Sequence, residues 1–529
     1  MVWKSAPPLE IAGASPAAPA HSCGSAGSRM VNECLRRASN DSPSKMIDRG
    51  GPDKLYACMS AALHLDPDRF LPADSAVRAI ARRLFAAVET APILSPHGHT
   101  DPAWFAYDQA FEDPVSLLLW PDHYLLRMLF SQGVSLESLG VRPSDAAAFE
   151  TDRRVIWRRF AEHYRLFRGT PSRLWLDHVF ATVFGLDVRL EPGTADLYFD
   201  AVSEALARPD YRPRALYERF GIEVLATTEG ALDDLEHHRA IEASGWPGRV
   251  ITTFRPDDVT DPSRDDFADN LAQLGALTGE NVSHWDGYLA ALAARRAVFR
   301  RHGATATDHG HPTARTADLS KVEAQSLLDR VIGGRAKPLD AELFRAQTLT
   351  EMALMACDDG MVMQLHPGSW RNHNPSLMRR FGRDRGADIP TRTDYVGALK
   401  PLLDRVGEHP GFSLILFTLD ESNYARELAP LAGHYPCLKL GPAWWFNDSP
   451  EGMLRFRRQT TETAGFYNTV GFNDDTRAFL SIPARHDLAR RMDCSYLAEL
   501  VATQRLDEDE AADLARDLAY NLAKQAYRL

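Results

Sequence analysis

The sequence predicts an α/β fold: a closed (β/α)8 TIM barrel with a helical insertion after strand 1 and helices at its C-terminal end. Three observations predict it. Eight short apolar runs recur along the chain, at 92–96, 222–227, 250–254, 304–307, 361–365, 412–419, 437–441 and 467–472. Helical stretches separate most of them, the pattern of parallel strands joined by crossovers. Histidine, aspartate and arginine gather just after the runs, where such a barrel carries its active site. A doubly wound open sheet is the rival architecture, and the count of eight favours closure.

The elements follow in chain order. Residues 1–61 read as a leader, disordered or mis-assigned. Ala, Ser, Pro and Gly dominate up to about residue 43, with too few large apolar residues to offset the entropy of ordering. Met30 and Met46 are alternative starts, and the stretch lacks the Leu-rich centre of a signal peptide. The barrel domain then spans 62–529. Residues 75–90 carry apolar side chains at helical spacing, with arginines between them. More than a hundred residues separate the first run from the second, and 114–132, 156–167 and 172–184 read as helices. They form an insertion over the barrel mouth, at about 105–220. Helices at 232–243, 267–302 and 394–406 follow the second, third and fifth runs. The polar stretch 309–340 reads as a smaller insertion, and 486–527 as two amphipathic helices.

Composition excludes some functions. The 529 residues carry 60 basic and 72 acidic side chains, a net charge of -12, with both signs scattered. A nucleic-acid groove needs clustered basic residues, so none is expected. No run approaches the ~20 apolar residues of a membrane span. The six cysteines form no CxxC pair, which fits reduced thiols in a cytoplasmic protein. An anionic substrate would need local arginines, since the global field repels it.

Candidate site residues sit at the ends of the runs. His97 and His99 follow the first run and, two apart on an extended chain, face the same side. Neutral imidazoles ligate zinc and similar ions. Asp474 and Asp475 follow the eighth run, next to the first in a barrel. Either can reach a metal held by the two histidines, and either can be a turn or N-cap residue. Arg255 follows the third run and can fork onto a carboxylate or form a surface ion pair. His366 follows the fifth run, as a pocket or structural residue. Trp444 and Trp445 follow the seventh, as flat faces for a sugar or as core. A second His-Gly-His, His309 to His311 after Asp308, ranks lower because no partner aspartate is suggested. His123 and Tyr124 open an apolar helix in the insertion, as packing residues or as an acid or base reaching over the mouth.

A collinear set of motifs carries a resemblance. They are HGHTDP at His97, DHYLLRM at Asp122, TTEG at Thr227 with LEHH at Leu235, FRPD at Phe254, QLHPG at Gln364 with RNHN at Arg371, GPAWWFND at Gly441 and DDTRAFL at Asp474. Over residues 65–529 the chain resembles the uronate (glucuronate) isomerases of the amidohydrolase superfamily. His-Gly-His stands where enterobacterial members have His-Cys-His, and both imidazoles are kept. The resemblance implies the barrel with its insertion, and aldose–ketose isomerisation of D-glucuronate and D-galacturonate through an ene-diol. It also implies one divalent ion, zinc before manganese or cobalt, held by His97, His99 and Asp475. Catalytic roles fall on Tyr124, His123, Arg477 and Asp475, and substrate contacts on Arg255, His366, Trp444 and Trp445. Self-association is common in the family, though no stripe marks an interface. A hydrolase of the same superfamily is the alternative, weakened because the sixth run ends in Leu419-Asp420-Glu421 without a histidine. A non-catalytic binding barrel is weaker still, since it would lose the polar strand ends.

Overall fold

The structure, a computed structural model, describes residues 61–529. The leader expected at 1–61, with Cys23, Cys34, Cys58 and the alternative starts Met30 and Met46, lies outside the described residues except for Ala61. Seven parallel strands form the sheet. They are β1 (Ile93–Ser95), β2 (Ile222–Gly230), β3 (Val250–Arg255), β4 (Ala306–His309), β5 (Val362–Leu365), β8 (Leu414–Leu416) and β9 (Leu438–Leu440), in that spatial order. A two-stranded antiparallel ribbon, β6 (Ser369–Trp370) and β7 (Ile389–Pro390), rises from the loop after β5.

The eighth expected run is not a regular strand. It joins β9 through one parallel bridge, Leu440 to Thr469, with Val470 N–H donating to the Leu440 carbonyl at 3.0 Å. Gly471 then turns the chain at φ +72°, and a Cβ there would lie 2.6 Å from the Leu518 carbonyl. The left-handed turn ends the extension that apolarity alone predicted. The segment still closes the barrel, since His99 N–H donates to the Thr476 carbonyl at 3.0 Å.

Three other expectations are corrected. The helix expected at 114–132 is two elements, a π-turn Val115–Leu119 and a helix His123–Ser131. Pro121 lies at the break, and the Asp122 carboxylate caps the second piece by accepting the N–H groups of Tyr124 and Leu125. The stretch 309–340 holds the helix Lys321–Ile332, capped by Ser320 and Glu323 and buried through Leu327 and Leu328, ahead of the long helix Pro338–Asp359. At the C-terminal end, helix Ile482–Ala502 begins before residue 486 and is buried on nearly every face. Its arginines bond inside the protein, which periodicity cannot reveal: Arg490 donates to the Glu89 and Ala91 carbonyls, and Arg491 pairs with Asp487. The last residues plug the barrel, with Tyr527 fully buried and donating to Gln364 on β5 at 3.0 Å.

Several buried histidines give stability a pH dependence. Burial pushes His123 and His238 down to about 3 and His178 down to about 4, from 6.5. Between those values and 6.5 the unfolded chain binds protons that the folded chain does not. The contribution of these histidines is therefore full above pH 6.5 and falls as pH drops, by up to about 1.4 kcal/mol per pH unit each, partly offset by Glu229, whose carboxyl burial raises to about 8. Urea melts from pH 7.5 to 5 check this, and a midpoint independent of pH contradicts it.

Candidate active site

A cavity of about 280 Å³ opens at the carboxyl ends of the strands. Every sequence-predicted site residue lines it: His97, His99, His123, Tyr124, Arg255, His366, Trp444, Trp445, Asp475 and Arg477. The break at Pro121 accounts for the insertion's share. It starts a new helix at the mouth, so His123 and Tyr124 project from its first turn.

At one pole, Asp475 Oδ1 lies 3.2 Å from His99 Nε2 and 3.6 Å from His97 Nε2. Gln364 lies against His97 Nδ1 at 3.5 Å, leaving Nε2 for the aspartate. Burial lowers both imidazoles, His97 to about 4, so they are neutral at pH 7. Burial would raise the Asp475 carboxyl, but His97 and His99 outweigh it and hold the group far below the usual carboxylate range. The aspartate ambiguity resolves in space: Asp474 faces away, with Oδ2 3.1 Å from His486 Nε2. A Cβ at Gly98 would sit 3.4 Å from the Thr476 carbonyl, so a small side chain also fits between the two histidines.

His97, Asp308 and His366 form a second set of three close donors. Asp308 is already engaged on both oxygens, by His366 Nδ1 at 2.6 Å and by Arg255 at 3.0 Å. His366 is sandwiched between the His97 ring, 4.7 Å away, and Phe417, 3.8 Å away. It therefore braces His97, and the His97–His99–Asp475 trio is the freer set of ligands.

The same cavity is lined by the acid–base candidates. Tyr124 Oη donates to Asp448 Oδ1 at 2.9 Å and accepts the Phe446 N–H at 3.1 Å. Arg485 holds the other Asp448 oxygen at 2.9 Å. Burial, then the Asp448 charge, raises the phenol well above 10, and burial raises the Asp448 carboxyl. His123 stacks on Tyr124 and meets the edge of Trp445, and its Nε2 is buried without a protein partner. Trp444 sets its edge against His366, so part of its surface is packing rather than a free sugar platform. Arg477 Nη2 lies 3.8 Å from Asp384, on the loop between β6 and β7.

Sequence reasoning gave Asp448, Arg485 and Asp384 no role. Asp448 ends the GPAWWFND motif, so its position was visible. Asp384 lies in a loop whose approach to the mouth no periodicity reports. Arg255 is fixed by Asp257 at 2.8 Å and Asp308 at 3.0 Å, and it packs on Gly310, where a Cβ would fall 1.9 Å from Nη2. Gly310→Ala is thus expected to displace the guanidinium and lower kcat/KM by about 10²-fold, the cost of a 1 Å misplacement. Steady-state kinetics on a variant with unchanged melting temperature checks it.

The family model described as glucuronate isomerase matches residues 68–527. The uronate isomerase of Rhizorhabdus wittichii is 68% identical over 470 residues, covering 89% of this chain and all of the relative. That of Xanthomonas euvesicatoria is 65% identical with the same coverage. Among solved structures, the glucuronate isomerase of Caulobacter crescentus matches with a TM-score of 0.87 at 59% identity, covering 88% of this chain and 98% of that one. The Thermotoga maritima uronate isomerase matches with a TM-score of 0.81 at 25% identity, covering 88% and 99%. With its motifs gathered around one barrel mouth, the chain belongs to the glucuronate isomerase family.

Proposed function

We propose that the chain interconverts D-glucuronate with D-fructuronate, and D-galacturonate with D-tagaturonate, by moving a proton between carbons 2 and 1 through an ene-diol. The observation that carries this is that His97, His99 and Asp475 line the same cavity as the hydrogen-bonded Tyr124–Asp448 pair. The donor set fits a divalent metal: two neutral imidazoles and an ionised carboxylate, with ligand atoms within 4.8 Å of one another. When bound there, a zinc, manganese or cobalt ion supplies a Lewis acid for substrate oxygens, zinc being the first choice for a His/His/Asp set.

The chain's own groups divide the proton work. Tyr124 exchanges the proton at carbon 2, passing the phenolic proton to Asp448, whose raised carboxyl can hold it. His123, neutral and stacked on Tyr124, keeps the ring in place. Arg477 stabilises charge that develops on the ene-diol oxygens, and Arg255 orients the sugar. Arg477→Met is expected to lower kcat by about 10²–10³-fold, the scale for losing one preorganised donor. An effect confined to KM would reassign Arg477 to binding.

The hydrolytic alternative finds no support at the sixth strand position. Asp420 there accepts from the Ser422 backbone and hydroxyl, tied into its own turn. Cys357, Cys437 and Cys494 are free thiols, in keeping with a cytoplasmic setting. Among the described residues no helix is long and apolar enough to cross a membrane. The experiment is proton NMR of the metal-replete protein with each uronate in heavy water. Conversion to the keto acid with exchange at carbon 2 is the expected result, and no conversion of either sugar overturns the reading.

A further inference from the structure

We propose that Asp257, His309 and His311 form a second divalent-metal site, of the zinc class, on the β3–β4 side of the same cavity. One ligand atom from each lies within 4.8 Å of the others. His309 ends β4, and Asp257 stands two residues beyond Arg255 at the end of β3. Adjacent parallel strands therefore bring the second His-Gly-His together with Asp257, an aspartate from a different strand end.

The imidazoles themselves supply the independent observation. His311 is 4% exposed, and neither of its ring nitrogens has a hydrogen-bond partner. His309 is fully buried, and its Nδ1 also has none. Buried polar atoms left unpaired are costly and call for a ligand. The remaining nitrogen of His309, Nε2, is 3.0 Å from Thr307 Oγ1. In the tautomer that donates Nε2–H to that hydroxyl, Nδ1 is bare and the Thr307 contact is the outer contact expected of a metal-bound histidine. Asp257 Oδ2 is held by Arg255 Nε at 2.8 Å, and Oδ1 lies 3.2 Å from the Gly310 N–H and 4.0 Å from His311 Nε2. One face of Oδ1 is left for a cation.

Local charge permits a cation beside Arg255. The guanidinium is neutralised twice, by Asp257 and by Asp308 at 3.0 Å. Nearby, Arg345 is paired with Asp261 at 2.6 Å. These two arginines and three aspartates leave one negative charge. His/His/Asp donors select zinc, cobalt or manganese over calcium or magnesium. Three protein ligands leave a coordination position open, and His311 and Asp257 line the cavity. The ion would thus sit where it ties the β3 and β4 loops together at the substrate's edge.

The test counts metal. Full-length protein is stripped with a chelator, dialysed against Zn²⁺, and its zinc measured by mass spectrometry. The expected result is two ions per chain in the wild type, one in His311→Leu, one in His97→Leu, and none in the double variant. A Co²⁺ titration of the wild type, followed by d–d absorption, needs no variant and is expected to saturate at two equivalents. One ion per chain, retained in His311→Leu and lost in His97→Leu, overturns this site while leaving the first intact. Two ions persisting in His311→Leu also overturn it. One ion lost in His311→Leu and retained in His97→Leu supports this site and sinks the reading of the first.

Discussion

Tyr124→Phe is expected to lower kcat by about 10²–10⁴-fold, the range for losing a positioned acid or base. KM should change little. The substitution removes one oxygen and keeps the ring that stacks on His123 and meets Trp175 edge-on. The lost group is the donor to Asp448 and the acceptor of the Phe446 N–H. Asp448 stays paired with Arg485, so no isolated buried charge is created and the fold should hold. The informative readout is exchange at carbon 2 in heavy water, measured without net turnover. Loss of exchange together with turnover places Tyr124 on the proton path. Turnover close to wild type contradicts that role, and a rise in KM alone makes the phenol a binding group.

This pair also shows where sequence reasoning stops. His97, His99 and Tyr124 were legible because each lies at a predicted element end, where barrel geometry dictates the direction of the side chain. The hydrogen-bond partner of the Tyr124 hydroxyl, Asp448, lies 324 positions away, and only packing of the insertion over the mouth joins them. Asp384 is hidden for the same reason, on the loop between helix Pro375–Phe381 and β7. The fold divides similarly. Seven strands follow from apolarity, while the eighth run fails because Gly471 takes a positive φ against the Leu518 carbonyl. Helix Ile482–Ala502 reads as amphipathic only where charge is equated with solvent exposure. Arg485, Arg490 and Arg491 are instead buried and bonded to carboxylates and carbonyls. Asp474 and Asp475 could not be separated by pattern, since adjacent residues differ only in the direction each points.

That direction sets up the second large effect. Asp475 has φ +38°, a region open to Asp and Asn at modest cost and closed to most side chains. Asp475→Asn therefore removes the charge and keeps both the shape and the backbone. The amide oxygen can still accept from His97 or His99, so the melting temperature should stay near that of the wild type. Activity should fall by about 10³-fold or more, since the carboxylate is both a candidate metal ligand and a candidate carrier of protons between substrate hydroxyls. Metal retained after dialysis should fall in parallel, because an amide is a weaker donor than a carboxylate held ionised between two imidazoles. The two losses separate the roles. Lost metal with activity restored by excess Zn²⁺ makes Asp475 a ligand alone. Full metal with lost activity makes it a proton carrier alone. Asp474→Asn provides the contrast: it weakens the contact with His486 behind the barrel wall, and it should leave metal content and kcat close to wild type while lowering stability. If the two variants behaved alike, the assignment of Asp475 to the cavity chemistry would be wrong.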